Sequence, residues 1–123
     1  MRAEQAIPSL GPLETQVMHV LWDHGDLTVR EIIGHLPADP AYTTIATVLR
    51  HLDGKGMVAA VKDGRSTRFT VRRSREAYTA EVMDQALEAS RNRTASILHF
   101  VDAIGEDDRT LLREYLRNQE GLQ

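Results

Sequence analysis

Apolar positions recur at helical spacing through the first quarter of the chain. Leu13, Val17, Val20 and Leu21 fall at i, i+4, i+7 and i+8, one stripe of a helix, with Trp22 beside it. Gly11-Pro12 suits the start, because glycine is tolerated as an N-cap and proline is favoured at the first helical position. Gly25 stops this helix. Thr28-Val29-Arg30-Glu31 is a capping box, a hydroxyl with a glutamate three residues on. It predicts a short second helix through Ile32, Ile33 and Leu36, ended by Pro37. Beyond the Pro37-Ala38-Asp39-Pro40 loop, Ile45, Val48, Leu49 and Leu52 predict a third helix over residues 42–54. Gly54 and Gly56 can supply its left-handed C-terminal turn.

The period then changes. Residues 57–62 and 65–71 are β-capable runs separated by Asp63-Gly64, which predicts a hairpin with a two-residue type I′ turn. From Ser74, a plausible N-cap, the pattern is helical again. Tyr78, Val82, Met83, Ala86 and Leu87 repeat through Arg91. Ile97, Leu98, Val101 and Ile104 mark residues 94–104 as a further helix, closed by Gly105. Glu106-Asp107-Asp108 favours a new start through the helix dipole, and Leu111, Leu112, Tyr115 and Leu116 give the last apolar face.

The fold class is therefore mainly α. Three helices and a β-hairpin wing form a winged helix-turn-helix over residues 1–73, and residues 74–123 form a helical region. Those last helices have too little apolar surface among themselves to make a good core, so they are expected to dimerise. The expected interface residues are Tyr78, Val82, Ile97, Leu98, Val101, Leu112 and Leu116.

Composition sharpens this picture. The chain has 123 residues, 41% of them hydrophobic, one domain's worth with a packed core. No apolar run is long enough to span a bilayer, and Met1-Arg2-Ala3-Glu4-Gln5 lacks the stretch of a signal peptide. A cytoplasmic protein without membrane insertion is expected. Without cysteine there is no disulfide or thiolate metal site. The net charge of −3 hides a basic island. Residues 42–73 carry seven basic and two acidic groups, whereas residues 1–41 and 74–123 are each −4.

That island coincides with the third helix and the hairpin. Opposite the buried face, the helix presents Thr43, Thr44, Thr47, Arg50 and His51. Hydroxyls reach bases or phosphates, threonine methyls touch thymine methyls, and arginine forks onto guanine. A polar, solvated helix face is the plainer account, but the adjoining hairpin argues against it. The hairpin carries Lys62, Arg65 and Arg68, with Arg72-Arg73 close behind, which suits phosphate contact. Charge that protects an edge strand is the competing account. Thr28 and Arg30, at the second helix's start, would hold the DNA backbone.

Catalysis finds no support. His19, His24, His35, His51 and His99 are scattered without metal-ligand spacing. Ser9 and Ser66 lack a nucleophile elbow, and no glycine-rich phosphate loop exists. Glu106-Asp107-Asp108 is explained by a helix start, so no metal and no cofactor is expected.

Several stretches together carry a resemblance. They are Leu10-Gly11-Pro12-Leu13-Glu14, Val17-Met18, Leu21-Trp22, Val29-Arg30-Glu31-Ile32, Ala41-Tyr42-Thr43-Thr44-Ile45, Thr47-Val48-Leu49, Lys55-Gly56-Met57-Val58 and Leu98-His99-Phe100-Val101. With them the chain resembles the penicillinase-repressor (BlaI/MecI) family over roughly residues 9–118. The resemblance implies a homodimeric transcriptional repressor. Its winged helix binds a dyad-symmetric double-stranded operator, its C-terminal helices dimerise, and β-lactam-response genes are the expected targets. Thr43, Thr44 and Thr47 match the family's recognition-helix contacts. His51 stands where arginine is common and Thr43 where lysine can occur, so Arg50 would supply the missing cation. The family is released when a membrane sensor-protease system triggers cleavage at an Asn-Phe bond. The matching pair here is His99-Phe100, and Phe100 reads better as a dimer-core aromatic than as a cleavage determinant. A copper-responsive sibling branch uses cysteines, which this chain lacks.

Two other classes fit the layout: a regulator of another regulon released by a small ligand, and a winged-helix protein-interaction module. The basic island favours nucleic acid over protein, and the short C-terminal part leaves little room for a pocket.

Overall fold

The computed structural model describes residues 8–121, so the polar Met1-to-Gln5 opening lies outside the described residues. In order, the elements are α1 (Pro12–His24), α2 (Val29–Gly34), α3 (Tyr42–Gly54), β1 (Val58–Asp63), β2 (Ser66–Val71), α4 (Arg75–Ala89), α5 (Arg93–Ala103) and α6 (Glu106–Gly121). The chain divides into two compact units between Val82 and Met83, inside α4.

The first unit closes around Val17, Met18, Val20, Leu21, Val29, Ile32, Leu36, Ile45, Leu49, Leu52, Met57 and Val58, all buried. Each helix contributes the stripe its spacing predicts. Val48 is half-buried and packs at the core's edge, and α2 ends at Gly34, although Leu36 beyond it is still buried. Local chemistry sets the ends. Glu14 accepts the Gly11 amide at 2.7 Å ahead of α1. At α2, Thr28 Oγ1 accepts from Glu31 N at 3.2 Å and Glu31 Oε1 accepts from Thr28 N at 2.9 Å, a closed capping box. Helix α3 finishes in a Schellman motif. Met57 N donates to Leu52 O at 2.9 Å and Gly56 N to Asp53 O at 3.0 Å, with Leu52 and Met57 both buried. Gly56, at φ +77°, is the left-handed residue, whereas Gly54 stays helical.

The strands pair antiparallel with Asp63 opposite Ser66, so the turn residues are Gly64-Arg65 and not Asp63-Gly64. Only Gly64 has positive φ (+64°) there, which matches a II′ pattern instead of the expected I′. The shift places Arg65 in the turn itself. Leu27 adds a single bridge to the free edge of β2, with Phe69 N donating to Leu27 O at 2.8 Å.

The first turns of α4, which follow the boundary expected at 73/74, are fastened to α1. Trp22 Nε1 donates to Arg73 O at 2.8 Å. The Tyr78 ring lies 5.8 Å from the Trp22 ring, and Arg75 donates to Asp23 at 2.7 Å. Arg73 pairs with Glu81 at 3.0 Å. Tyr78, expected at a dimer interface, is thus half-buried against Trp22 and the first unit's core.

The second unit contains the end of α4 with α5 and α6. Asn92 Oδ1 caps α5 by accepting from Ala95 N at 3.1 Å. Arg93 reaches back to Asp84 at 2.6 Å and Glu88 at 3.3 Å. No described residue of α4, α5 or α6 is buried. No helix among the described residues is long and apolar enough to cross a membrane.

Candidate nucleic-acid interface

Helix α3 turns Ile45, Leu49 and Leu52 into the core, which directs its other face outward. Thr43, Thr44, Arg50 and His51 are exposed on that face and Thr47 is half-buried. Threonine is a poor helix former, so three of them on an outer face carry a small cost that core packing does not explain.

Beside this face lies a groove of about 410 Å³, where the start of α2, the start of α3 and the wing meet. Thr28, Arg30 and Arg65 line it together with Tyr42, Ser66 and Thr67. Three residues picked out separately along the sequence therefore converge. The Thr28 hydroxyl accepts the Glu31 amide within its capping box. Arg30 sits over the Tyr42 ring, 5.3 Å from its centroid, a contact that holds the guanidinium at the groove.

The basic island is thinner at the surface than its count suggests. Lys55 is committed to Glu14 at 2.8 Å and to Ser9 O at 2.8 Å. Arg73 is committed to Glu81. Arg68, expected to meet phosphate, instead donates to Asp63 at 2.9 Å, Glu31 at 3.1 Å and Asp26 O at 3.1 Å. Its hydrogen bond to Asp63, then the Glu31 charge, raise its pKa further above the usual arginine range. The Thr28 amide, against some burial and with Arg68 assisting, holds the Glu31 carboxyl below its ordinary value. Arg50, Lys62, Arg65 and Arg72 have no ion-pair partner among the described residues. An outward hydroxyl face, a groove with two arginines and a turn-borne cation together suit a polyanion with a grooved surface.

The penicillinase-repressor family profile matches residues 10–118. The chain belongs to this family. Among its relatives, the transcriptional regulator BlaI of Mycobacterium tuberculosis is 38% identical, the match covering 90% of this chain and 85% of that protein. The solution structure of the DNA-binding domain of the repressor BlaI superposes with a TM-score of 0.52 at 31% identity, over 58% of this chain and 90% of that one. Bacillus licheniformis BlaI, solved as a monomer in complex with the blaP half-operator, gives a TM-score of 0.50 at 31% identity over the same shares. The family's members are transcriptional regulators, a class that performs no catalysis.

Sequence reasoning missed Tyr42, Ser66 and Thr67 as groove residues. Tyr42 is the large aromatic that opens α3, and it is 49% exposed despite its size. Ser66 and Thr67 depended on the turn's register. His99 and Phe100 lie side by side in the second half of α5, both exposed, with Phe100 at 47%. Their peptide bond is part of a helix, so a protease would need α5 to open locally.

Proposed function

We propose that this chain is a sequence-specific repressor that binds a palindromic double-stranded operator as a homodimer. The convergence of Thr28, Arg30 and Arg65 on one groove beside the outward threonines of α3 carries the reading. A relative 31% identical over the winged helix is described bound to a half-operator, which supports it. In this reading α3 enters the major groove. Thr43, Thr44 and Thr47 meet base edges near its start, and Arg50 and His51 reach further along. Thr28, Arg30, Lys62 and Arg65 hold phosphates. Val82, Ile97, Leu98, Val101, Leu112 and Leu116 join two copies, so that two half-sites on one DNA face are read a whole number of turns apart. Family membership supports β-lactam-response genes as targets and a membrane sensor-protease system as the source of release. Phe100 serves as an interface aromatic.

The test is binding of a fluorescent palindromic duplex across a salt series. The repressor reading expects affinity to fall steeply with salt, and a single half-site to bind far more weakly than the pair. A protein-interaction module would bind neither duplex at any salt. Sequencing genomic fragments retained by the protein then names the operator, and the adjoining genes show whether β-lactam response is the regulon.

A further inference from the structure

Of the wing cations Lys62, Arg65 and Arg68, only Arg68 has ion-pair partners among the described residues. Its Nε donates to Asp63 Oδ2 at 2.9 Å, beside the hairpin turn. Its Nη1 donates to Glu31 Oε1 in the first turn of α2 and to Asp26 O in the preceding connection, both at 3.1 Å. The same Glu31 oxygen accepts the Thr28 amide at 2.9 Å. One guanidinium therefore ties the wing tip to the helix start that lines the other side of the groove. Its neighbour Phe69 makes the only backbone link described between wing and α1–α2 connection, through Leu27.

Stability does not explain this arrangement. The three side chains are 37%, 46% and 62% exposed, and exposed ion pairs contribute little. Position does explain it. A two-stranded hairpin is floppy alone, and Arg65, at its tip, has to be held over Thr28 and Arg30 to complete the groove. A planar fork that meets two carboxylates and a carbonyl fixes an angle in a way a point charge does not.

We propose that Arg68 is a positioning residue for operator binding, acting through Arg65 by locking the wing against the capping box of α2. This rests on the repressor reading above. A double-mutant cycle tests it. Arg65→Ala removes one phosphate contact and lowers the salt slope of binding by about 0.9. Arg68→Ala weakens binding as well, yet the double variant matches Arg65→Ala alone in affinity, to within about twofold, and in slope. Losses that add, with the double variant's slope lower by about 1.8, would make Arg68 a phosphate contact and overturn the proposal.

Asp63→Asn gives a second handle that spares the fold, because asparagine serves equally before glycine in a tight turn. Loss of the carboxylate weakens specific binding by a few fold if Arg68 needs its anchor, whereas a phosphate-seeking Arg68 would be released and binding would stay equal or tighten. Amide hydrogen exchange on the free protein supplies an arm without DNA. Arg68→Ala speeds exchange at Phe69 and the other paired wing amides by about tenfold and leaves Leu49 unchanged. Unchanged wing exchange sinks the lock. If the wild-type duplex titration shows no salt-dependent binding, the repressor reading fails on its own, and the exchange arm still decides whether Arg68 holds the wing.

Discussion

The two units bury their apolar residues to opposite degrees. The winged helix encloses nine side chains at under 2% exposure, from Val17 to Val58. In α4, α5 and α6 no described residue is buried, and Leu98, Leu111 and Leu116 stand at 60%, 64% and 59% exposed. A single copy satisfies the first unit's sequence pattern but not the second's. The spacing of Leu111, Leu112, Tyr115 and Leu116 is as regular as that of Ile45, Leu49 and Leu52. Periodicity identifies a face that must be covered; it does not say whether the same molecule covers it.

The strongest way to break this contrast is to place charge on the uncovered face. Leu112→Asp acts twice in a symmetric pair, and each leucine withdrawn from burial forfeits about 1.5–3 kcal/mol, so dimerisation should weaken by about 3–6 kcal/mol. Light scattering should then report half the wild-type mass, while the winged helix unfolds at its usual denaturant concentration. A wild-type mass from the variant would mean that α6 faces something other than a second copy.

Next in size is the converse experiment. Leu49 is fully buried, so Leu49→Ala should cost about 2–5 kcal/mol of stability in urea unfolding. The cost should not vary with protein concentration, because this core belongs to one chain. A midpoint that recovers as concentration rises would show that the winged helix too leans on its partner.

How far the sequence could be read follows the same division. The capping box at Thr28 and the stop at Gly56 depend on neighbours within a few residues, and both formed as their chemistry requires. The turn slipped by one position because Asp63-Gly64 and Gly64-Arg65 both place glycine where positive φ is needed. Pairing of Val58 with Val71 across the whole hairpin chose between them. The protein partners of Arg68 escaped the sequence for a related reason. Charge in a run of sequence carries no direction, and Glu31 is thirty-seven residues away. Tyr78 shows the limit at the boundary: its helical spacing was legible, but its partner Trp22 lies on α1.

A smaller effect sharpens the comparison inside the first unit, between the two faces of α3. Thr47→Ala should reduce discrimination between operator and random duplex by about 1–3 kcal/mol if the hydroxyl or methyl meets a base. Alanine is also the better helix former, so stability should rise by a few tenths of a kcal/mol. Specificity and stability should move in opposite directions, as expected for a face shaped by a partner. A variant that loses both would place Thr47 with Leu49 among the residues that hold the fold.

The smallest expected effect concerns the pair that joins the start of α1 to the end of α3. Burial alone would push the Glu14 carboxyl up. The Gly11 amide and then Lys55 outweigh that, and its pKa lies below the ordinary glutamate value. A carboxyl with a depressed folded-state pKa stabilises above its unfolded value, and the contribution disappears as pH falls through the folded one. Glu14→Gln keeps an oxygen for Gly11 and removes the charge facing Lys55. It should cost about 0.5–1 kcal/mol at neutral pH. The gap from wild type should close as pH falls from the ordinary glutamate range, about 4.3, downward. Urea midpoints of both proteins between neutral pH and pH 3 would show it. A gap that stays constant with pH would assign the cost to packing, since only the ion pair titrates in that window.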